Sequence, residues 1–206
     1  MTGNSKIQEI KKQQTFCIIK PDGVKRNLTG QILSRLENTG LKIVALNMQL
    51  ATQEQIKKHY PVNDSAWVER IGDKGLSTFD SLGLDPIEFL GTNNKKEIGE
   101  KVVESLIDYM TSGPIICLVV EGIQVVEVVR KLAGHTLPFK AETGTIRGDF
   151  SADSPAIANV EGRAIHNLFH ASETVDEAKK EIELWFGTNL VDYKLAGEEI
   201  LYNKFY

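Results

Sequence analysis

Residues 167–173 read Asn167-Leu168-Phe169-His170-Ala171-Ser172-Glu173. They close a short apolar run, residues 164–170, that reads as a core strand. Thr174 and Glu177 then form a capping-box pattern, and Val175, Ala178, Ile182 and Trp185 follow on one helix face. The segment is therefore a strand handing over to a helix, with a histidine at the join. An imidazole held there has a fixed orientation and lies near a helix N-terminus, where anions are favoured. That position suits a histidine that accepts a phosphoryl group. Taken alone, a strand-end histidine is more often structural.

Upstream, the same alternation repeats. Residues 15–20 read as a short buried strand. Thr29 can cap a helix carrying Ile32, Leu33 and Leu36 on one face, ended by Gly40. Residues 41–50 are strand-like, and Thr52 with Gln55 forms a capping box for a helix ending near Tyr60. Val103, Leu106, Ile107 and Met110 mark a helix over 102–110, followed by a strand over 115–121. An amphipathic helix over 125–132 ends at Gly134. Residues 135–150 carry Gly, Pro and Thr without periodicity and read as a long functional loop. The resulting order is β-α-β-α-α-β-α-β-α. Without its extra short helix, that is an α/β (α+β) chain with a ferredoxin-like antiparallel sheet, built of split β-α-β units covered by helices.

The chain has 206 residues, enough for one domain with a sizeable core or one domain with an elaboration. Twenty-four basic against 28 acidic residues leave a net charge of −4, which argues against a general nucleic-acid surface. Cys17 and Cys117 both lie in apolar runs and read as reduced, buried thiols with no metal-ligand spacing. Residues 1–14 are polar and lack the apolar stretch of a secretory leader. The longest strongly apolar run, 115–120, is too short to span a bilayer. A cytoplasmic location without membrane association is expected.

Three further segments stand with the histidine: Lys20-Pro21-Asp22-Gly23 after the first strand, Met110-Thr111-Ser112-Gly113-Pro114 before another, and Gly144-Thr145-Ile146-Arg147-Gly148-Asp149-Phe150. In order and spacing the four closely resemble the nucleoside diphosphate kinase family, over residues 15–60 and 101–186. The resemblance implies one domain over 1–206, with an insertion at about 61–100 and a C-terminal extension at about 187–206. It implies a phosphotransferase that moves the γ-phosphoryl of a nucleoside triphosphate to a diphosphate through a phosphohistidine, with ping-pong kinetics. Mg²⁺ would arrive with the nucleotide, no protein-held metal is expected, and a homo-oligomer (tetramer or hexamer) is implied.

The resemblance also assigns residues. His170 is the nucleophile, and Glu181, eleven residues on, orients its held nitrogen. Lys20, Arg130 and Arg147 are the phosphate-facing cations, suited to a transferring group that carries dispersed negative charge. Thr136 hydrogen-bonds phosphate, and Asn167 binds sugar hydroxyl and phosphate. Tyr60 matches the aromatic base-binding position. The second base-stacking position, usually Phe, falls at Val103. Leu137 stands where the family has Asn, and Ala171 where it has Gly, which is tolerable unless the backbone needs a positive φ. Trp67, Phe79 and Phe89 in the insertion are candidates to rebuild the base lid, with subunit contacts as the other reading. Three other readings are weighed. A non-catalytic nucleotide-binding or regulatory module of the same fold would be favoured by a lost histidine. An RNA-binding ferredoxin-like module would need an aromatic strand motif. His166 and His170 would share a face, as a metal pair requires, if 164–170 were all strand.

Overall fold

The computed structural model describes Ile7 and residues 10–195. Four strands, β1 Gln13–Ile19, β2 Lys42–Leu50, β3 Pro114–Gly122 and β4 Phe169–Ala171, form one sheet in the order β2-β3-β1-β4. Each neighbouring pair is antiparallel. β1 and β2 therefore flank β3, and β3 and β4 flank β1. This is the expected ferredoxin-like, split β-α-β plan.

The central strands are continuously apolar because both sheet faces are covered. Phe16 and Ile18 of β1 point to one face, where they join Val44, Ile56, Ile107, Met110 and Ile182. Cys17 and Ile19 point to the other and join Ile32, Leu36, Val125, Val129 and Ile146. Both cysteines are free and buried. An RNA-binding sheet of this topology presents stacking aromatics on a strand face; here both faces of β1 are buried in core. No helix of the described residues is long and apolar enough to cross a membrane.

The helices are α1 Pro21–Lys25, α2 Thr29–Glu37, α3 Gln53–His59, α4 Ser65–Leu82, α5 Pro86–Leu90, α6 Lys95–Thr111, α7 Val125–Ala133, α8 Ile146–Phe150, α9 Pro155–Val160 and α10 Val175–Trp185. Several starts follow the sequence signals. Thr52 and Gln55 make the full capping box of α3. Thr174 accepts from the Glu177 backbone, whereas the Glu177 carboxylate turns to the Glu173 backbone rather than to Thr174, so this box is half formed. Thr29 is not a cap. It is the first helical residue of α2, after Leu28, because that turn is already closed by backbone bonds from Asn27 and Leu28 to α1.

Two further expectations are corrected. The last strand is three residues, not seven, because Leu168 adopts a left-handed φ of 63° that breaks the extended run. His166 therefore lies outside the strand, exposed, with its ring 5.1 Å from Tyr109, and does not share a strand face with His170. The 135–150 segment is not wholly irregular: Pro138–Lys140 is a 3₁₀ turn, and α8 is capped by the Thr145 hydroxyl.

The 61–100 segment is helical. Asp64 caps α4 by accepting from the Ala66 and Trp67 backbones. α4 then lies against α6 at backbone contact. A Cβ on Gly72 would stand 1.8 Å from the Lys95 carbonyl oxygen, and one on Gly99 would stand 2.2 Å from that of Val68. Two glycines thus set how close α4 comes, and with it which α4 side chains overlook the sheet end. Phe79 is fully buried and pairs with Phe89, ring centroids 6.2 Å apart, and neither lines the cleft described below. Of the expected C-terminal extension, the described residues end at 195. Within it Val191 bonds to Val44 and the Tyr193 hydroxyl to Ile43; Tyr202, Phe205 and Tyr206 lie outside the described residues.

Candidate active site

At one end of the sheet a cleft of about 420 Å³ gathers side chains from β1, α3, α4, α7, α8, β4 and α10. That is within the size range of small-molecule sites. Lys20 directly follows β1 and is the N-cap of α1, with Pro21 pinning its turn. Its side chain is buried and its ammonium donates to Asn167 Oδ1 at 2.7 Å. Asn167 in turn donates through Nδ2 to the Thr136 carbonyl at 3.0 Å. The Lys20 backbone N–H donates to the carbonyl of the strained Leu168 at 2.8 Å, which ties the start of the cleft to its end.

Arg147, in the first turn of α8, is almost fully buried. Its guanidinium donates to three backbone carbonyls: Gly134 at 2.6 Å, Phe169 at 2.6 Å and Asn167 at 3.3 Å. Five N–H donors are available to an arginine, so donors remain for a ligand. Arg130, on α7, is exposed and reaches Glu173 at 3.5 Å.

His170 lies at the cleft floor. Its Nε2 is 2.8 Å from Glu181 Oε1, and Glu181 Oε2 takes the Ser172 hydroxyl at 2.5 Å. Ser172 also accepts the Phe16 N–H, so the carboxylate is anchored to β1. His59, at the end of α3, brings Nδ1 to 3.2 Å from the same Oε1 and 3.3 Å from the Trp185 indole nitrogen. A neutral imidazole satisfies one of these two, donating to the carboxylate or accepting from the indole. Its Nε2 is buried with no partner among the described residues. His59 had no role in the sequence reading; its one signal was its place beside Tyr60 at a helix end.

Electrostatics sharpen these roles. Burial first, and then the Lys20 charge, hold the His170 imidazole well below its ordinary range, so it is neutral at physiological pH. Burial and His170 bring His59 down to about 3. Burial raises the Glu181 carboxyl, against the opposing pull of His59 and the Ser172 hydroxyl. Lys20 is brought down to about 7 by burial and by Arg147, with Asp22 pulling the other way. Burial lowers Arg147 to about 10, which leaves it charged.

Lys20, Tyr60, Arg130, Thr136, Arg147, Asn167 and His170 all line the cleft, and Glu181 stands directly behind the histidine. Val103 does not. It shares the core stripe of α6 with Ile107 and Met110, four and seven residues on, and packs on the sheet instead. The aromatic neighbour of Tyr60 is Trp67 of α4, stacked at 6.2 Å with 29° between ring planes. Arg70 and Lys74 follow it on the cleft wall. Ala171 has no positive φ, so its replacement of glycine is accommodated. The ligand atoms of His59, His170 and Glu181 lie within 4.8 Å of one another. With one carboxylate and two nitrogens they are a poor match for Mg²⁺, which takes oxygen ligands.

A neutral imidazole held on one side and ringed by cations defines a phosphoryl-transfer site. The nucleoside diphosphate kinase family model matches residues 13–67 and 90–191. The nucleoside diphosphate kinase of Pyrobaculum aerophilum is 48% identical over 174 residues, which is 84% of this chain and 94% of that one. A crystal structure of an NDP kinase from that organism superposes with a TM-score of 0.79 at 46% identity, covering 85% of this chain and 96% of that one. A Borrelia burgdorferi nucleoside-diphosphate kinase structure, a transition-state mimic with bound vanadate and ADP, gives 0.72 at 37% identity, with 93% and 97% covered. The chain belongs to the nucleoside diphosphate kinase family. It is a phosphotransferase.

Proposed function

We propose that this cleft moves the γ-phosphoryl of a nucleoside triphosphate to His170 and then to a nucleoside diphosphate. The observation that carries the reading is the His170–Glu181 contact on a cation-lined floor. With Glu181 accepting from Nε2–H, the lone pair is on Nδ1. In the first half-reaction Nδ1 bonds to the γ-phosphorus as the bond from phosphorus to the β,γ-bridging oxygen breaks. The diphosphate leaves with that electron pair, while Nε2 keeps its proton and Glu181 faces the imidazolium-like charge. In the second half-reaction a terminal oxygen of the acceptor diphosphate displaces the nitrogen. Lys20 and Arg147 stabilise the charge on the transferring oxygens, and Asn167, itself held by Lys20, positions ribose and phosphate. Thr136 and Arg130 contact the phosphate chain, and Tyr60 with Trp67 holds the base.

Mg²⁺ fits as a passenger of the nucleotide: the cleft is mostly cationic, and its carboxylates, Glu173 and Glu177, form no oxygen cage. The metal would neutralise phosphate charge during transfer. The same reading places the protein in the cytoplasm as one kinase-like domain, with the insertion and extension as elaborations. A homo-oligomer, tetramer or hexamer, is part of it. Edge strand β2 supports that, since Leu46, Met48 and Leu50 are 48%, 56% and 69% exposed at alternate positions. Incubation with γ-labelled ATP tests the mechanism. An acid-labile, base-stable phosphoprotein is expected, and label persisting at wild-type level in His170→Ala would exclude His170 as the acceptor.

A further inference from the structure

α4 carries more than Trp67 into the cleft. Trp67, Arg70 and Lys74 are spaced three and seven residues along the helix, which puts them on one face, and all three line the cleft wall. The two acidic residues interleaved with them, Glu69 and Asp73, are turned elsewhere. Glu69 pairs with Lys95 at 2.9 Å, and Asp73 faces the same lysine. Over its first ten residues α4 therefore separates its charges, Glu69 and Asp73 toward the start of α6 and Arg70 and Lys74 toward the cleft.

The partners of the cleft cations differ in the same way. Lys20 is bonded to Asn167, Arg147 to three carbonyls and Arg130 to Glu173. Among the described residues, no carboxylate lies within ion-pair distance of Arg70 or Lys74, and neither side chain makes a hydrogen bond. They bring the lining to five cationic side chains against two carboxylates, Glu173 and Glu177. A solvated helix face needs no such separation of charge. A polyanionic ligand does, because each added cation contributes most where opposing charge enters a partly enclosed cleft. The family model leaves residues 68–89 unmatched, so these two cations are additions to the matched segments.

We infer that Arg70 and Lys74 bind the phosphate chain of the nucleotide from the α4 side and favour the triphosphate over the diphosphate and the uncharged nucleoside. This rests on the cleft being the nucleotide site. Trp67, stacked on Tyr60, takes the base side, and the two cations close over the phosphates opposite Arg130 and Thr136.

Isothermal titration of the full chain with adenosine, ADP and the β,γ-imido analogue of ATP, for wild type, Arg70→Gln, Lys74→Gln and the double variant, tests this. The double variant should lose roughly ten-fold in affinity for the triphosphate analogue, less for ADP and nothing for adenosine. The dependence of its affinity on salt should be shallower than wild type. Arg70→Lys should keep most of the affinity. Equal losses for all three ligands would mean a base-side or folding effect and overturn the assignment, as would unchanged affinities. Should wild type itself fail to bind ADP or to form the phosphoenzyme, the nucleotide reading of the cleft falls, and this assignment with it.

Discussion

Glu181 places one oxygen 2.8 Å from His170 Nε2 and the other 2.5 Å from the Ser172 hydroxyl. The carboxylate is thus fixed between the histidine and the backbone of β1. In the proposed mechanism its work is to choose the tautomer: a carboxylate accepting at Nε2 keeps the proton there and leaves the lone pair on Nδ1. Glu181→Ala should lower kcat for phosphoenzyme formation by about 10- to 100-fold, the usual size for losing a group that orients an imidazole. KM should change little. Stopped-flow intrinsic fluorescence measures both, and a change confined to KM would reject the orienting role.

Burial and Arg147 disfavour the charge on Lys20 and bring it down to about 7. Nucleotide phosphates beside it would restore that charge. At pH 8, binding of ADP should therefore take up protons from solution. Titration calorimetry in buffers of different ionisation enthalpy reads the uptake directly, and Lys20→Met should abolish most of it. For stability the sign is separate. The folded group holds fewer protons than the unfolded one between pH 7 and its ordinary range, so this lysine makes the fold more stable as pH rises across that window. The effect should vanish in Lys20→Met.

Neutral His170 gives a second pH test. Its depressed pKa means the ring ¹⁵N shifts of labelled protein should stay those of a neutral, Nε2-protonated imidazole from pH 8 down to pH 5. Titration of those shifts near the ordinary histidine range would show the ring to be accessible and unheld.

Tyr109 braces the lysine from below. Its hydroxyl donates to Asp22 Oδ1, and the Lys20 ammonium sits 5.8 Å from the ring centroid. Asp22 Oδ2 is buried with no partner among the described residues. Tyr109→Phe removes a donor from a carboxylate already short of donors. It should cost about 1–3 kcal/mol in urea unfolding, the size of stranding a buried polar group. A cost below about 0.5 kcal/mol would mean water substitutes freely.

Much of this was legible in the chain because it is local. The short continuous apolar runs marked β1 and β3. The Thr52/Gln55 box marked α3, whereas Glu181 was assigned by the family resemblance alone and stands 2.8 Å from His170. What was not legible depends on backbone conformation or on distant packing. No pattern announces that Leu168 turns left-handed and shortens β4. Nothing local says that Val103 faces the core, since its helical stripe with Ile107 and Met110 fits either a core face or a cleft face. His59 enters only because α3 ends against α10. Arg70 and Lys74 enter only because Gly72 and Gly99 let α4 settle on α6.

That last contact yields a prediction of its own. A Cβ at Gly72 would meet the Lys95 carbonyl oxygen at 1.8 Å, and the obstacle is backbone, which cannot swing aside like a side-chain tip. Gly72→Val must therefore lift α4 from α6 and carry Trp67, Arg70 and Lys74 away from the cleft. The floor is built separately: Lys20 is held by Asn167, Arg147 by the carbonyls around it, and His170 by Glu181 on α10. Overpacking of this kind costs about 1–3 kcal/mol, within what a folded domain of typical stability tolerates. The variant should keep kcat within about three-fold at saturating nucleotide while KM rises about ten-fold or more. Coupled-assay kinetics on protein of wild-type circular dichroism separate the outcomes. An unchanged KM would show that α4 does not cover the nucleotide, and a collapse of kcat would show that the floor depends on α4 after all.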